Sequence, residues 1–216
     1  MDIDKAVAIR KAMVVGEAIR KAMVVGEAIA KGRNLFNKAN VIEEFNSGCD
    51  HVLSLFESAY ELYKSGIYHV PVFLAISAIE EIAKLEVAMF RCMGEPEDVN
   101  KQRQDKLYNH RAKHVIALQE VIAIGSRLPK AIGKDRVRAL LDMAEAGGLV
   151  ALRESSLYTD SVNEQFVTPA SVIDKATSRE IILLAIETWD DRLRGLTNHT
   201  NELDRRADEI FYDVAG

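Results

Sequence analysis

The sequence predicts an all-α protein, a single-domain helical bundle of about six to seven helices. Three observations predict it. Apolar residues recur at three- and four-residue spacing, glycine and proline punctuate these stretches, and no segment alternates β-branched residues with tight-turn signals as a sheet requires. A chain of 216 residues builds one good core and hardly two. Its 48% hydrophobic and 28% charged residues are the balance of a folding globular domain.

The first element is a helix carrying a tandem duplication: AIRKAMVVGE at Ala8 to Glu17 recurs unchanged at Ala18 to Glu27. Ten residues advance a helix by about 1000°, some 80° short of three turns, so the copies present different faces and no solenoid follows. The duplication lengthens one helix by about 15 Å. A coiled-coil arm for oligomerisation is the alternative. Gly16 and Gly26 each cost about 1 kcal/mol relative to alanine, which allows a break at either. Residues 1–38 are assigned to the same domain as 39–216.

A second helix is expected from Asn40 or Asp50 to Lys64, ended by Gly66. A third spans Pro71 to Cys92, with Pro71 in its first turn, Gly94 and Pro96 beyond its end, and an apolar stripe of Val72, Ile76, Ile79, Ala83 and Phe90. A fourth covers Asp98 to Ile124, before a loop containing Gly125, Pro129 and Gly133. A fifth covers Asp135 to Ala146, stopped by Gly147 and Gly148. The stretch Leu149 to Val172 reads as irregular, with a helical turn at Val150 to Tyr158 and a loop at Thr168 and Pro169. Thr177 and Glu180 form a capping box for a sixth helix that runs to Leu193 or Arg194, and a short last helix covers Asn198 to Tyr212.

A net charge of -5 and a pI near 5.6 give no overall attraction to nucleic acid or an anionic membrane, so any RNA contact must be local. Cys49 and Cys92 have neither metal-finger spacing nor the density of a disulfide scaffold, which points to two buried thiols in a reducing compartment. The longest stretch free of charge, Ser65 to Ile79, has fifteen residues and falls short of the roughly 18 to 20 that cross a bilayer. The N-terminus, with Asp2 and Asp4 ahead of a helix studded with basic residues, does not read as a secretion signal. A cytoplasmic protein without membrane contact is expected.

Three clusters carry candidate chemistry. On the third helix Glu80, Glu81 and Lys84 interrupt an apolar run, and Glu80 shares a face with Phe73, Ile76 and Val87. A carboxylate there needs a partner. Lys84, one turn on, would make an intrahelical salt bridge; the alternative has Glu80 reaching across the bundle to an arginine or histidine. In the fourth helix six residues separate Arg103 from His110, which places both on one face about 10 Å apart along the axis. Such a pair could grip a phosphodiester, histidine moving a proton and arginine stabilising charge, or it could decorate a solvated basic helix. His110 and His114 have metal-ligand spacing, but no third ligand is evident, and neither a metal nor another cofactor is expected. The third cluster, Arg153, Tyr158 and Asp160 ahead of Pro169, either anchors a loop or displays functional groups.

Taken in order, the helix Asp50 to Ser65 with Gly66-Ile67-Tyr68, the run Ala75-Ile76 through Glu80-Glu81-Ile82-Ala83-Lys84, His110 with Lys113, and Leu152-Arg153 with Leu157 to Asp160 ahead of Pro169 resemble the AbiV family of bacterial abortive-infection proteins. The resemblance covers roughly Cys49 to Ser171 and leaves the N-terminal duplication outside. Such proteins are similar to the HEPN group, helical domains that are often dimeric ribonucleases using an arginine and a histidine with four to six residues between them. The resemblance implies a defence role against phage through RNA or translation, and a homodimer. At the spacing after Arg153 this chain has Tyr158 rather than histidine, a poor base with a reference pKa near 10. Arg103 and His110 satisfy the spacing.

Two site models follow. In one, Arg103 and His110 are catalytic with Glu80 and Arg153 behind them. In the other, Glu80, Lys84, His110, Lys113, Arg153 and Tyr158 converge in one polar pocket with His110 as the proton shuttle. Glu81 and Asp160 belong to the supporting polar residues. The competing function is a non-catalytic defence protein that docks a phage or host protein.

Overall fold

The computed structural model describes residues 20–99, 101–118, 127–162 and 164–216. Residues 20–30 form helix α1, unbroken at Gly26; the first copy of the duplicated decapeptide lies outside the described residues. Then come α2 (Val41–Lys64), α3 (His69–Met93), two 3-10 turns (Gln102–Gln104 and Lys106–Tyr108) and α4 (His110–Ala117). They are followed by α5 (Arg127–Ile132), α6 (Lys134–Ala146) and α7 (Gly148–Ser155). A hairpin of β1 (Asp160–Val162) and β2 (Gln165–Val167) pairs Asp160 with Val167, and α8 (Pro169–Val172), α9 (Lys175–Arg192) and α10 (Asn198–Ala215) complete the chain.

Helix–helix burial makes the core. In α2 the buried Phe45, Cys49, Val52, Phe56 and Ala59 lie at alternating four- and three-residue steps, a single stripe. α3 is buried around most of its circumference, and α9 is buried without interruption from Ile181 to Trp189, so these two run through the centre. α2 and α9 both pack on α3, and α10 closes against α2 and α9. Trp189 joins the layers: its ring meets Phe56 edge to face at 6.4 Å, and its Nε1 donates to Asp204 of α10 at 2.7 Å. α4 packs on α3, α6 and α7, and α7 also reaches α3.

A buried arginine ties α1 to this core. Arg91, at the end of α3, is fully buried and donates to the carbonyls of Ala28, Lys31 and Arg33 and to both oxygens of Asp105, at 2.6 to 2.8 Å. The guanidinium thus satisfies the orphan carbonyls at the end of α1 and fixes the turns before α4. Gly32 allows the approach. Its φ is +144°, and a Cβ there would lie 2.2 Å from an Arg91 terminal nitrogen.

The helical expectation holds, with instructive departures. Among the described residues the single fourth helix is not formed, and its expected end at 119–124 lies outside them: Asp105 accepts from the Leu107 amide and Asn109 from the Ala112 amide, so each, itself in extended backbone, caps a new start. Arg103 therefore sits in an exposed 3-10 turn and does not share a helical face with His110. Phe90, assigned to the apolar stripe, is exposed, whereas Arg91 beside it is buried. Part of the expected loop at 125–133 is helix α5, which admits Pro129 in its first turn. The irregular stretch contains α7 and the hairpin. The sixth helix starts at Lys175 because Asp174, accepting from the Thr177 amide at 2.8 Å, caps it. Cys49 is buried, with its thiol pushed up to about 12 by burial and then by the Asp50 charge, whereas Cys92 is only half-buried.

Candidate active site around Glu80

Glu80 lies on the face of α3 that α4 and α7 cover, and only 4% of it is exposed. A carboxylate so placed is tolerable only if its lone pairs are filled by donors. They are. His110 Nδ1 lies 2.8 and 2.7 Å from its two oxygens, His114 Nε2 lies 3.1 Å from Oε1, and the Lys113 ammonium donates to Oε2. Burial acts to raise the Glu80 pKa, but hydrogen bonds from His114 and Lys113, the Lys113 charge and the His110 contact outweigh it and hold the carboxyl at about 2. Lys113 moves the other way: burial lowers its pKa more than Glu80 restores it, so the lysine gives back part of what the carboxylate gains.

All three α4 donors arise from local sequence. Residues 110, 113 and 114 recur at i, i+3 and i+4 and share one face of a helix. Asn109 starts that helix immediately before His110, which places the histidine in the first turn, at the edge of the packed face. His114 is fully buried, while the His110 side chain keeps 44% exposure. A carboxylate only accepts, so the hydrogen-bond network assigns the proton of the His110–Glu80 contact to Nδ1 and leaves Nε2 as the lone-pair nitrogen.

Arg153 enters from α7. Its guanidinium lies 4.6 Å over the Phe73 ring of α3, its Nη1 bonds Glu154 at 3.1 Å, and its Nε stands 3.8 Å from Glu80 Oε1. That Nε is buried without a hydrogen-bond partner among the described residues, so the guanidinium is held near Glu80 by packing and charge rather than by a bond. Lys84 does not take Glu80, as the intrahelical salt bridge would require; it bonds Glu81 at 2.5 Å, and this half-buried pair acts on Lys113 through its charges.

Of the residues singled out in the sequence, the fold brings together Glu80, His110, Lys113 and Arg153, with Glu81 and Lys84 at their margin. Tyr158 is 60% exposed, and Asp160 is an exposed member of the hairpin whose carboxylate accepts from the Ser161 amide. Sequence reasoning missed His114 as a partner of Glu80 and Phe73 as the platform of Arg153. The i, i+3, i+4 spacing from His110 was the available signal for the first. Both histidines turn a nitrogen to Glu80, and among the described residues no group of His, Cys, Asp and Glu is placed to hold a metal ion.

An all-α domain with histidine and arginine gathered on a buried carboxylate is compatible with the HEPN class. A HEPN-type family model described as AbiV matches residues 42–190. The chain belongs to the AbiV family, whose HEPN-type members point to abortive-infection defence. No curated relative and no solved structure matches it. No helix among the described residues is long and apolar enough to cross a membrane.

Proposed function

We propose that this protein is an abortive-infection effector that cleaves RNA without a metal, with His110 as its proton-transfer group. The observation that carries the reading is the His110–Glu80 contact: a half-exposed imidazole whose Nδ1 is held at 2.7 Å by a buried carboxylate. Such an arrangement orients the ring and sets which of its nitrogens carries the proton. In the reaction a ribose 2′-oxygen bonds to the adjacent phosphorus as Nε2 takes its proton. The bond from phosphorus to the 5′-oxygen then breaks, and the departing oxygen receives that proton from Nε2, leaving a 2′,3′-cyclic phosphate and a 5′-hydroxyl. Arg153, the second cation beside Glu80, would steady the charge that develops on the phosphoryl oxygens. Arg103 is left without a place in this scheme.

His110→Ala should abolish cleavage, read as loss of new 5′-hydroxyl ends in total RNA of phage-challenged cells. Its melting temperature should fall by no more than a few degrees, since the ring is half-exposed. Cleavage that survives the substitution refutes the assignment.

A different observation favours protein docking. The stretch 157–172 exposes Leu157, Tyr158, Phe166 and Val172, with Phe166 75% exposed. In that reading the partner is a phage or host protein. Capture of a specific partner from infected cells, lost on Phe166→Ser and accompanied by intact RNA, would replace the ribonuclease reading.

A further inference from the structure

His110 is flanked by a second feature that the chemistry at Glu80 does not use. An open cleft of about 290 Å³ runs beside the first turn of α4 and is lined in part by Arg20, Lys21, Lys106, Asn109, Arg111 and Glu145. Among the described residues four cations and one carboxylate line it, with Glu27 pairing Lys106 from beside it, in a chain whose overall charge is -5. The concentration of positive charge is local, which an acidic protein needs if it is to hold a polyanion at all.

Several contacts build the cleft rather than leaving it to mobile side chains. Arg111 is anchored by its Nε, which donates to the Glu145 carbonyl at 2.9 Å, and its Cδ lies where a Cβ on Gly147 would be in contact, at 3.5 Å. Lys21 is largely buried and, with Arg20, is paired to the Glu145 carboxylate. Lys106 pairs with the exposed Glu27 carboxylate at 3.4 Å, its one ion-pair partner among the described residues. Asn109 and Arg111 immediately precede and follow His110, so a chain crossing the start of α4 meets the cleft and the imidazole in succession. The positive end of the α4 dipole adds to the field there.

We infer that this cleft is a phosphate-binding subsite for single-stranded RNA, in which Lys106 and Arg111 hold backbone phosphates next to the one presented to His110. The RNA identity rests on the ribonuclease reading; the polyanion site rests on the cleft alone. Glu145 neutralises Arg20 and Lys21 and so limits the field, and its carboxylate sets how tightly the backbone is held. A groove of this kind tracks phosphates and is indifferent to base sequence.

The test uses the full chain with His110→Ala to prevent turnover and a fluorescent twelve-nucleotide single-stranded RNA, titrated at several salt concentrations. Lys106→Gln with Arg111→Gln should weaken binding at least about fivefold near physiological salt. It should also reduce the slope of log affinity against log salt by about 1.4, which is 0.7 for each lost phosphate contact. Glu145→Gln should tighten binding severalfold, a gain that a folding defect cannot produce. Unchanged affinity and slope in the double variant, or no gain from Glu145→Gln, overturns the subsite. Cleavage is scored separately in the protein that keeps His110: RNA that binds through the cleft but stays intact there removes the ribonuclease reading and leaves the subsite standing.

Discussion

Replacing Glu80 by glutamine keeps the shape of the side chain and removes its charge. A carboxyl held at about 2 rather than the ordinary 4.5 contributes on the order of 3 kcal/mol of folding free energy at neutral pH. The burial cost carried by Lys113 offsets part of this in the wild type, but that cost stays in the variant, where a nearly buried ammonium has lost its carboxylate. Breaking one side of a buried pair commonly costs about 3 to 5 kcal/mol, in agreement. For a chain of this size about 3 kcal/mol corresponds to a drop of roughly 6 to 12 °C in melting temperature at pH 7. Because the folded pKa is depressed, the stabilisation is fully present above the unfolded value of 4.5 and is lost as pH falls through about 2. The wild type and Glu80→Gln should therefore converge in stability between these limits. Lys113→Met added to Glu80→Gln should restore part of the loss, because it removes the stranded cation. Thermal and urea melts of the wild type, Glu80→Gln, Lys113→Met and the double variant at pH 7 and at the lowest pH where they remain folded supply the numbers. A Glu80→Gln variant within 1 °C of wild type at pH 7, or fully additive losses in the double variant, would refute the buried-hub argument.

Three further outcomes are expected. Gly32→Ala forces a Cβ into the Arg91 guanidinium at a φ of +144° and should cost several kcal/mol, on the order of 3, by the sum of strain and displaced hydrogen bonds; thermal melts decide it, and a neutral substitution would mean that α1 is not locked to α3. Asn109→Ala removes the α4 cap and should cost about 1 kcal/mol, with a larger proportional loss of RNA cleavage because His110 is in the first turn; equal stability would show that Asn109 does not set the helix start. Tyr158→Phe and Asp160→Asn should each change stability by less than about 0.5 kcal/mol and leave the proposed cleavage intact, and a large loss of activity in either would return that residue to the candidate site.

The division between what was legible in the chain and what was not follows the range of the forces. Helices α2, α3, α6, α9 and α10 were readable because their stripes, caps and stops lie within a few residues of one another, as with Gly66 at φ +81° after α2 and Gly147 at φ +87° after α6. The same local logic, taken too far, joined residues 98–124 into one helix. Asp105 and Asn109 are helix formers of modest rank that become starts only when their side chains turn back to the amides ahead, and Asp105 is held in that pose by Arg91, fourteen residues away.

By itself the sequence determined an all-α bundle, an uncomfortable Glu80 on an apolar face, and a histidine with the reach to serve it. Only the tertiary structure decided the partners: Lys84 to Glu81, and Glu80 to His110, Lys113 and His114 from α4, with Arg153 brought alongside on Phe73. The reason is physical. Helical periodicity says which face a side chain occupies, but a buried charge is satisfied by whatever donors the packing of other helices delivers, thirty and more residues distant along the chain.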